Sequence, residues 1–115
     1  MRLPNGECAI VPIEKLRDYC LDSDHVTGRD KARVFKSALG LTRENAELLS
    51  AALTTAARDG EALATDTDEY GERYVLDFWM TVQGRAAIVR SSWIVRAGEM
   101  TPRLTSCYVK VARKR

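Results

Sequence analysis

Apolar side chains recur at helical spacing as far as Gly60 and at every second residue from Tyr74 onward. That single change of period confines the chain to helices followed by a sheet. Ile13, Leu16 and Cys20 mark a first helix over residues 12–21, opened by Pro12. Val34, Phe35, Ala38 and Leu39 mark a second, capped by Asp30 and stopped by Gly40. Ala46, Leu49, Ala52, Leu53, Ala56 and Ala57 line a third, which starts at a Thr42 cap and ends at Gly60.

Beyond an acidic loop, Tyr74, Leu76, Phe78 and Met80 alternate with Val75, Asp77, Trp79 and Thr81. Gln83 and Gly84 turn the chain into a strand over residues 85–96, where Ala87, Val89, Ser91, Trp93 and Val95 alternate with Ile88, Arg90, Ser92 and Ile94. A loop through Gly98 and Pro102 returns it as a strand over 103–111, and residues 61–65 offer one more. The prediction is an α+β fold with N-terminal helices packed on one face of a three- to four-stranded antiparallel sheet. With 115 residues the chain makes one domain, 1–115, with one modest core.

Charge is nearly balanced at +2 but unevenly placed. Residues 59–72 hold Asp59, Glu61, Asp66, Asp68, Glu69 and Glu72 without a cation, whereas residues 85–115 hold eight Lys or Arg against Glu99. The asymmetry suits a polyanion on one side, and equally a solvated tail. Cys8, Cys20 and Cys107 are odd in number and lack the CxxC spacing of a zinc site. They fit buried thiols in a reduced compartment, the cytoplasm. The first residues carry no apolar signal-peptide core, and no apolar run approaches membrane-spanning length, so no membrane partner is expected.

No phosphate-binding loop, dinucleotide fingerprint, nucleophile elbow or HExxH motif is present. Asp66 and Asp68 fit a solvated acidic loop far better than a cation site. Neither a metal nor another cofactor is expected. What remains is acid–base chemistry around HVTGRDKARVFKSALG, residues 25–40. His25 is the chain's only histidine, the side chain that ordinarily titrates near neutrality and so the default proton shuttle. Arg29, Lys31 and Arg33 follow it and suit a phosphate and the charge developing on one. On the sheet, Arg90 and Ser92 share a strand face, and Thr105, Ser106 and Tyr108 offer hydroxyls on the last strand. One imidazole, several cations and a few hydroxyls suffice to cleave RNA by attack of its own 2′-hydroxyl. Each residue also has a plainer role. A loop histidine more often caps a helix, helix cations more often face water, and Trp79 and Trp93 are more often core than base platforms.

The strings H-x-x-G-R-x-K-A-R-V-F-K-S-A-L-G (25–40), D-E-Y-G-E-R-Y (68–74), V-R-S-S-W-I-V-R-A-G-E (89–99) and P-R-L-T-S-C-Y-V (102–109) resemble a small bacterial domain family of unknown function. That family is similar in layout to the metal-independent ribonuclease toxins grouped with barnase, EndoU, the tRNA-cleaving colicins and RelE. The resemblance implies a toxin-type endoribonuclease and points to His25, Lys31, Arg90, Thr105, Ser106 and Tyr108; joined to the residue reading above, it sets His25, Lys31, Arg90, Thr105 and Tyr108 in catalysis and Arg29, Arg33, Ser92 and Ser106 on the substrate. It implies RNA and a cognate immunity or antitoxin protein as partners, and delivery into another cell's cytoplasm if the domain is a toxin module. The alternative is a non-catalytic binding or assembly module in which Arg33 pairs with an acid such as Asp77.

Overall fold

The computed structural model describes residues 1–26 and 28–110. Thr27 of the expected loop, Val111 at the end of the expected last strand, and the basic Arg113, Lys114 and Arg115 lie outside the described residues. A 3-10 turn, Gly6–Cys8, precedes helix α1, Ile13–Lys15, which widens into a π-turn, Leu16–Cys20. Helix α2 spans Arg29–Leu39, and a second 3-10 turn, Arg43–Asn45, leads into helix α3, Ala46–Asp59. Strands β1 (Ala62–Asp68), β2 (Gly71–Val82), β3 (Arg85–Arg96) and β4 (Pro102–Lys110) form one antiparallel sheet in the order β1-β2-β3-β4. The α+β fold expected from the change of period is the one observed.

Alternation assigns each strand residue to a face. Tyr74, Leu76 and Met80 of β2, with Val89, Ser91 and Trp93 of β3 and Leu104, Cys107 and Val109 of β4, are buried. They meet Phe35 and Leu39 of α2 and Leu49 and Leu53 of α3 in one core. The helices therefore cover this inner face, and no helix of the described residues packs over the outer one. Ser91 is the one polar side chain buried among the described residues. Its hydroxyl donates to the Leu76 carbonyl (2.7 Å) and accepts from Trp93 Nε1 (2.8 Å), so the indole keeps its hydrogen bond inside the core.

Three details differ from the sequence reading. Asp30 does not cap α2. It sits in the first turn and pairs with Arg33 at 3.5 Å, while the turn into the helix is closed by His25. The acidic segment is mostly strand: β1 runs from Ala62 to Asp68, with its register shifted between Ala64 and Asp66, and only Glu69 and Tyr70 turn. Its hydrophilic look misled because β1 is an edge strand exposed along nearly its whole length. Trp79 is not core. It follows Phe78 on the opposite face and is 69% exposed, whereas Trp93 is 1% exposed. The remaining boundaries lie close to expectation. Gly40 ends α2 at φ 72, and Thr42 forms a capping box with Asn45.

Candidate functional site

The registers of β2, β3 and β4 build three cross-strand rows on the outer face. Asp77 lies opposite Arg90 and Arg90 opposite Tyr108; Val75, Ser92 and Ser106 form the next row; Trp79, Ile88 and Lys110 form the third. Directly opposed residues point to the same side, so alternation alone gathers four of the expected site residues on one open surface. Thr105 is the extra residue of a bulge between the Ser92 and Trp93 pairings, and its hydroxyl donates to the Ser92 carbonyl at 3.1 Å. A bulge twists an edge strand and re-aims its neighbours, here Ser106.

Lys31 joins the helical layer to this surface. Its ammonium donates to the Ser106 hydroxyl and to the Tyr19 phenol, both at 3.1 Å, and lies 5.0 Å from the Tyr19 ring centre. Tyr19 in turn meets the His25 ring edge-on, at 5.0 Å between ring centres. Contacts therefore run from His25 through Tyr19 and Lys31 to Ser106. Tyr108 stands two residues further along the same face, directly opposite Arg90. Tyr19 has no part in the sequence reading. Its signal was its place one residue before Cys20 on a short helix, which says nothing about the edge of a sheet.

Gly28 holds the two halves of the helical layer together. A Cβ there would sit 2.2 Å from the Tyr19 carbonyl oxygen, so only glycine lets the start of α2 pack on the π-turn. His25 fixes the same corner. Its Nδ1 accepts the Gly28 amide proton at 3.1 Å, and its carbonyl accepts that of Arg29 at 3.0 Å. With Nδ1 so engaged, the neutral imidazole carries its proton on Nε2.

Charge on the outer face is largely matched. Arg90 grips Asp77 with two hydrogen bonds, 2.8 and 2.9 Å, and Lys110 adds a third contact to Asp77 at 3.3 Å. The Arg90 guanidinium and then Lys110 hold the Asp77 carboxyl below its ordinary value against the opposing effect of burial. Asp77, and after it Tyr108, hold Arg90 above its own. On the inner side, the neighbouring Cys20 together with burial pushes the Cys107 thiol well up. Cys8 is exposed.

Arg29 and Arg33 do not join this surface. They line a cavity on the helical side, and Arg33 pairs with Asp30 rather than with Asp77. Among the described residues, no three His, Cys, Asp or Glu side chains gather as a metal site requires.

Residues 2–111 match the model of a family described as a domain of unknown function, DUF6883. The chain belongs to the DUF6883 family. This agrees with the resemblance of its sequence strings to a family of that kind. No curated protein matches the DUF6883 chain. Among solved structures it is similar to a chain of the contact-dependent growth inhibition toxin–immunity protein complex from Klebsiella pneumoniae 342, with 17% identity and a TM-score of 0.70 over 90% of this chain and 94% of that one. At that identity the likeness speaks for a shared fold, the same layout of helices on an antiparallel sheet.

Proposed function

We propose that this DUF6883 domain is a toxin-type endoribonuclease that cuts RNA by attack of a 2′-hydroxyl on its own phosphodiester, without a metal. A 2′,3′-cyclic phosphate and a free 5′-hydroxyl would result. The observation that carries the reading is the placement of Lys31, a helix-borne cation bonded to Ser106 at the edge of the face where Tyr108 lies opposite Arg90. Fold likeness to a chain of a toxin–immunity complex supports it, and is consistent with a cognate partner protein.

In this reading Arg90 and Tyr108 hold the phosphate, and Ser92 and Ser106 flank it with hydroxyls. Lys31 stabilises the phosphorane and gives a proton to the departing 5′-oxygen. Thr105 shapes the bulge. Trp79, on the same face, offers its ring to a neighbouring base. His25 takes the 2′-hydroxyl proton on Nδ1, which the Gly28 amide must release for the step and re-engages afterwards to hold the turn.

The test is cleavage of a structured RNA in EDTA by the full chain and by Lys31→Met, with cyclic-phosphate ends as the readout. Loss of a positioned proton donor lowers the rate by about 10²–10⁴-fold. A Lys31→Met variant as fast as wild type, or a wild type that leaves RNA intact, sinks the reading. A second reading is favoured by one observation: Arg90 is already neutralised by Asp77, as a structural pair in a non-catalytic binding module would be. Under it the wild type cuts nothing, and Asp77→Asn alters stability alone.

A further inference from the structure

The cations left off the outer face form a site of their own. A cavity of about 770 Å³ opens between the π-turn, α2 and the Arg43–Asn45 turn, and its walls carry Arg17, Arg29, Arg33, Lys36 and Arg43 against one acid, Glu44. Arg17 and Arg43 share a single carboxylate, Asp18, at 3.2 and 3.0 Å. Arg33 pairs with Asp30 at 3.5 Å, and both side chains are largely exposed. No carboxylate of the described residues pairs with Arg29 or Lys36. The floor is apolar, formed by Leu21, Ala32 and Leu41. A neighbouring cavity of about 540 Å³ shares Arg33 and Lys36 and adds Arg85, so the basic lining continues past the end of α2.

Arg29, Arg33 and Lys36 stand at i, i+4 and i+7, in a stripe along α2 that flanks its buried Ala32, Phe35 and Leu39. At about 1.5 Å of rise per residue the row extends roughly 10 Å along the helix. A row suits a ladder of charges rather than one ion. The volume is that of a small-ligand pocket, about 300–1,000 Å³, whereas a protein partner needs a broad surface of about 800 Å². Planar guanidinium forks match phosphate oxygens in pairs, and an apolar floor accepts the face of a base or ribose.

We propose that this groove is a second anion site, gripping the phosphodiester backbone of an RNA strand away from the point of cleavage. The proposal rests on the reading of RNA as substrate. Helix α2 then serves both ends, presenting Lys31 to β4 and its basic row to the strand.

The test uses the full chain and a labelled 2′-O-methyl oligoribonucleotide, which has no nucleophile and stays intact. Anisotropy titrations across a salt series compare wild type with an Arg29→Gln, Arg33→Gln, Lys36→Gln triple variant. An equal-charge control carries Arg2→Gln, Arg58→Gln and Arg96→Gln. The triple variant should bind at least tenfold more weakly, with the slope of log K against log salt reduced by about 2, from about 0.7 per lost phosphate contact. The control should stay near wild type. Equal losses in triple variant and control would reduce the groove to net charge and overturn the site. Undiminished affinity in the triple variant would overturn it too, as would tighter binding of poly-glutamate than of RNA, which would mark an acidic protein as occupant. Cleavage of the unmodified oligonucleotide is followed in parallel. Binding that depends on the row without any cleavage keeps the groove and removes the nuclease.

Discussion

The two faces of the sheet are made by the same strands, yet they solve opposite problems. Inside, Ser91 and Trp93 sit in consecutive inward positions and satisfy each other's polar atoms among apolar neighbours. Outside, Asp77, Arg90 and Tyr108 form a row that no helix of the described residues covers, and Trp79 stands 69% exposed. The inner face explains why the chain folds. On the proposed function, the outer face carries chemistry that folding does not require. Substitutions on the two faces should therefore separate stability from function, most sharply at the two tryptophans.

Trp93→Ala should destabilise the domain by about 3–5 kcal/mol, because a large fully buried ring leaves a cavity. Trp79→Ala should change stability by less than about 0.5 kcal/mol, as exposed positions do. On the proposed function, Trp79→Ala should also weaken binding to single-stranded RNA by about 1–3 kcal/mol. Urea unfolding and oligonucleotide titration measure the two. Because Trp93 is enclosed, quenching of wild-type tryptophan emission by RNA reports on Trp79. If both alanine variants destabilise alike, the contrast between the faces is wrong.

Most of the fold was legible because it rests on local pattern. Apolar spacing in residues 30–57 fixes the buried stripes of α2 and α3, and alternation in residues 74–95 fixes both faces of β2 and β3. The misreadings came from nonlocal facts. β1 is recognisable only through its pairing with β2, since its own residues are exposed and acidic. Asp30 matches a cap by type, yet the helix starts two residues earlier than such a cap implies, at Arg29 after Gly28, and an imidazole closes the turn. At the candidate site the facing of Arg90, Ser92, Ser106 and Tyr108 followed from alternation, but their registry depends on the bulge at Thr105. Lys31 reaching Ser106 across 75 residues of sequence, and Tyr19 beside it, depend on packing that no periodicity encodes.

A smaller effect tests the inner face. Ser91→Ala removes the acceptor for Trp93 Nε1 and leaves a buried donor unpaired, which should cost about 1–3 kcal/mol. Thermal unfolding followed by near-UV circular dichroism checks it. A neutral result would mean that the indole finds another acceptor and that the Ser91–Trp93 pair does not organise the core.

His25 lies where the comparison blurs, since the same ring closes a turn and stands next to the Lys31 network. His25→Ala should cost about 1 kcal/mol, the usual net worth of one hydrogen bond, here the one that closes the turn onto Gly28. Restoring an acceptor with His25→Asn should recover much of that. If RNA cleavage falls by far more than stability accounts for, and Asn restores the fold without the rate, His25 acts on a proton. If stability and rate recover together, it acts by holding the turn.

The least effect concerns the outer row. Arg90 and Lys110 favour the ionised form of Asp77, so its folded pKa lies below its ordinary value of 3.8. The sign follows directly. The stabilisation is complete above that ordinary value and disappears as pH falls through the lower, folded one. For a pair whose side chains remain about a third exposed, it amounts to no more than about 1 kcal/mol. Asp77→Asn should thus be less stable than wild type at pH 7 by up to that amount, with the gap closing only below about pH 4. Added salt should narrow it at neutral pH. Wild type and Asp77→Asn unfolding in parallel across pH would instead mean that the row is already open to solvent and free to exchange Asp77 for a phosphate.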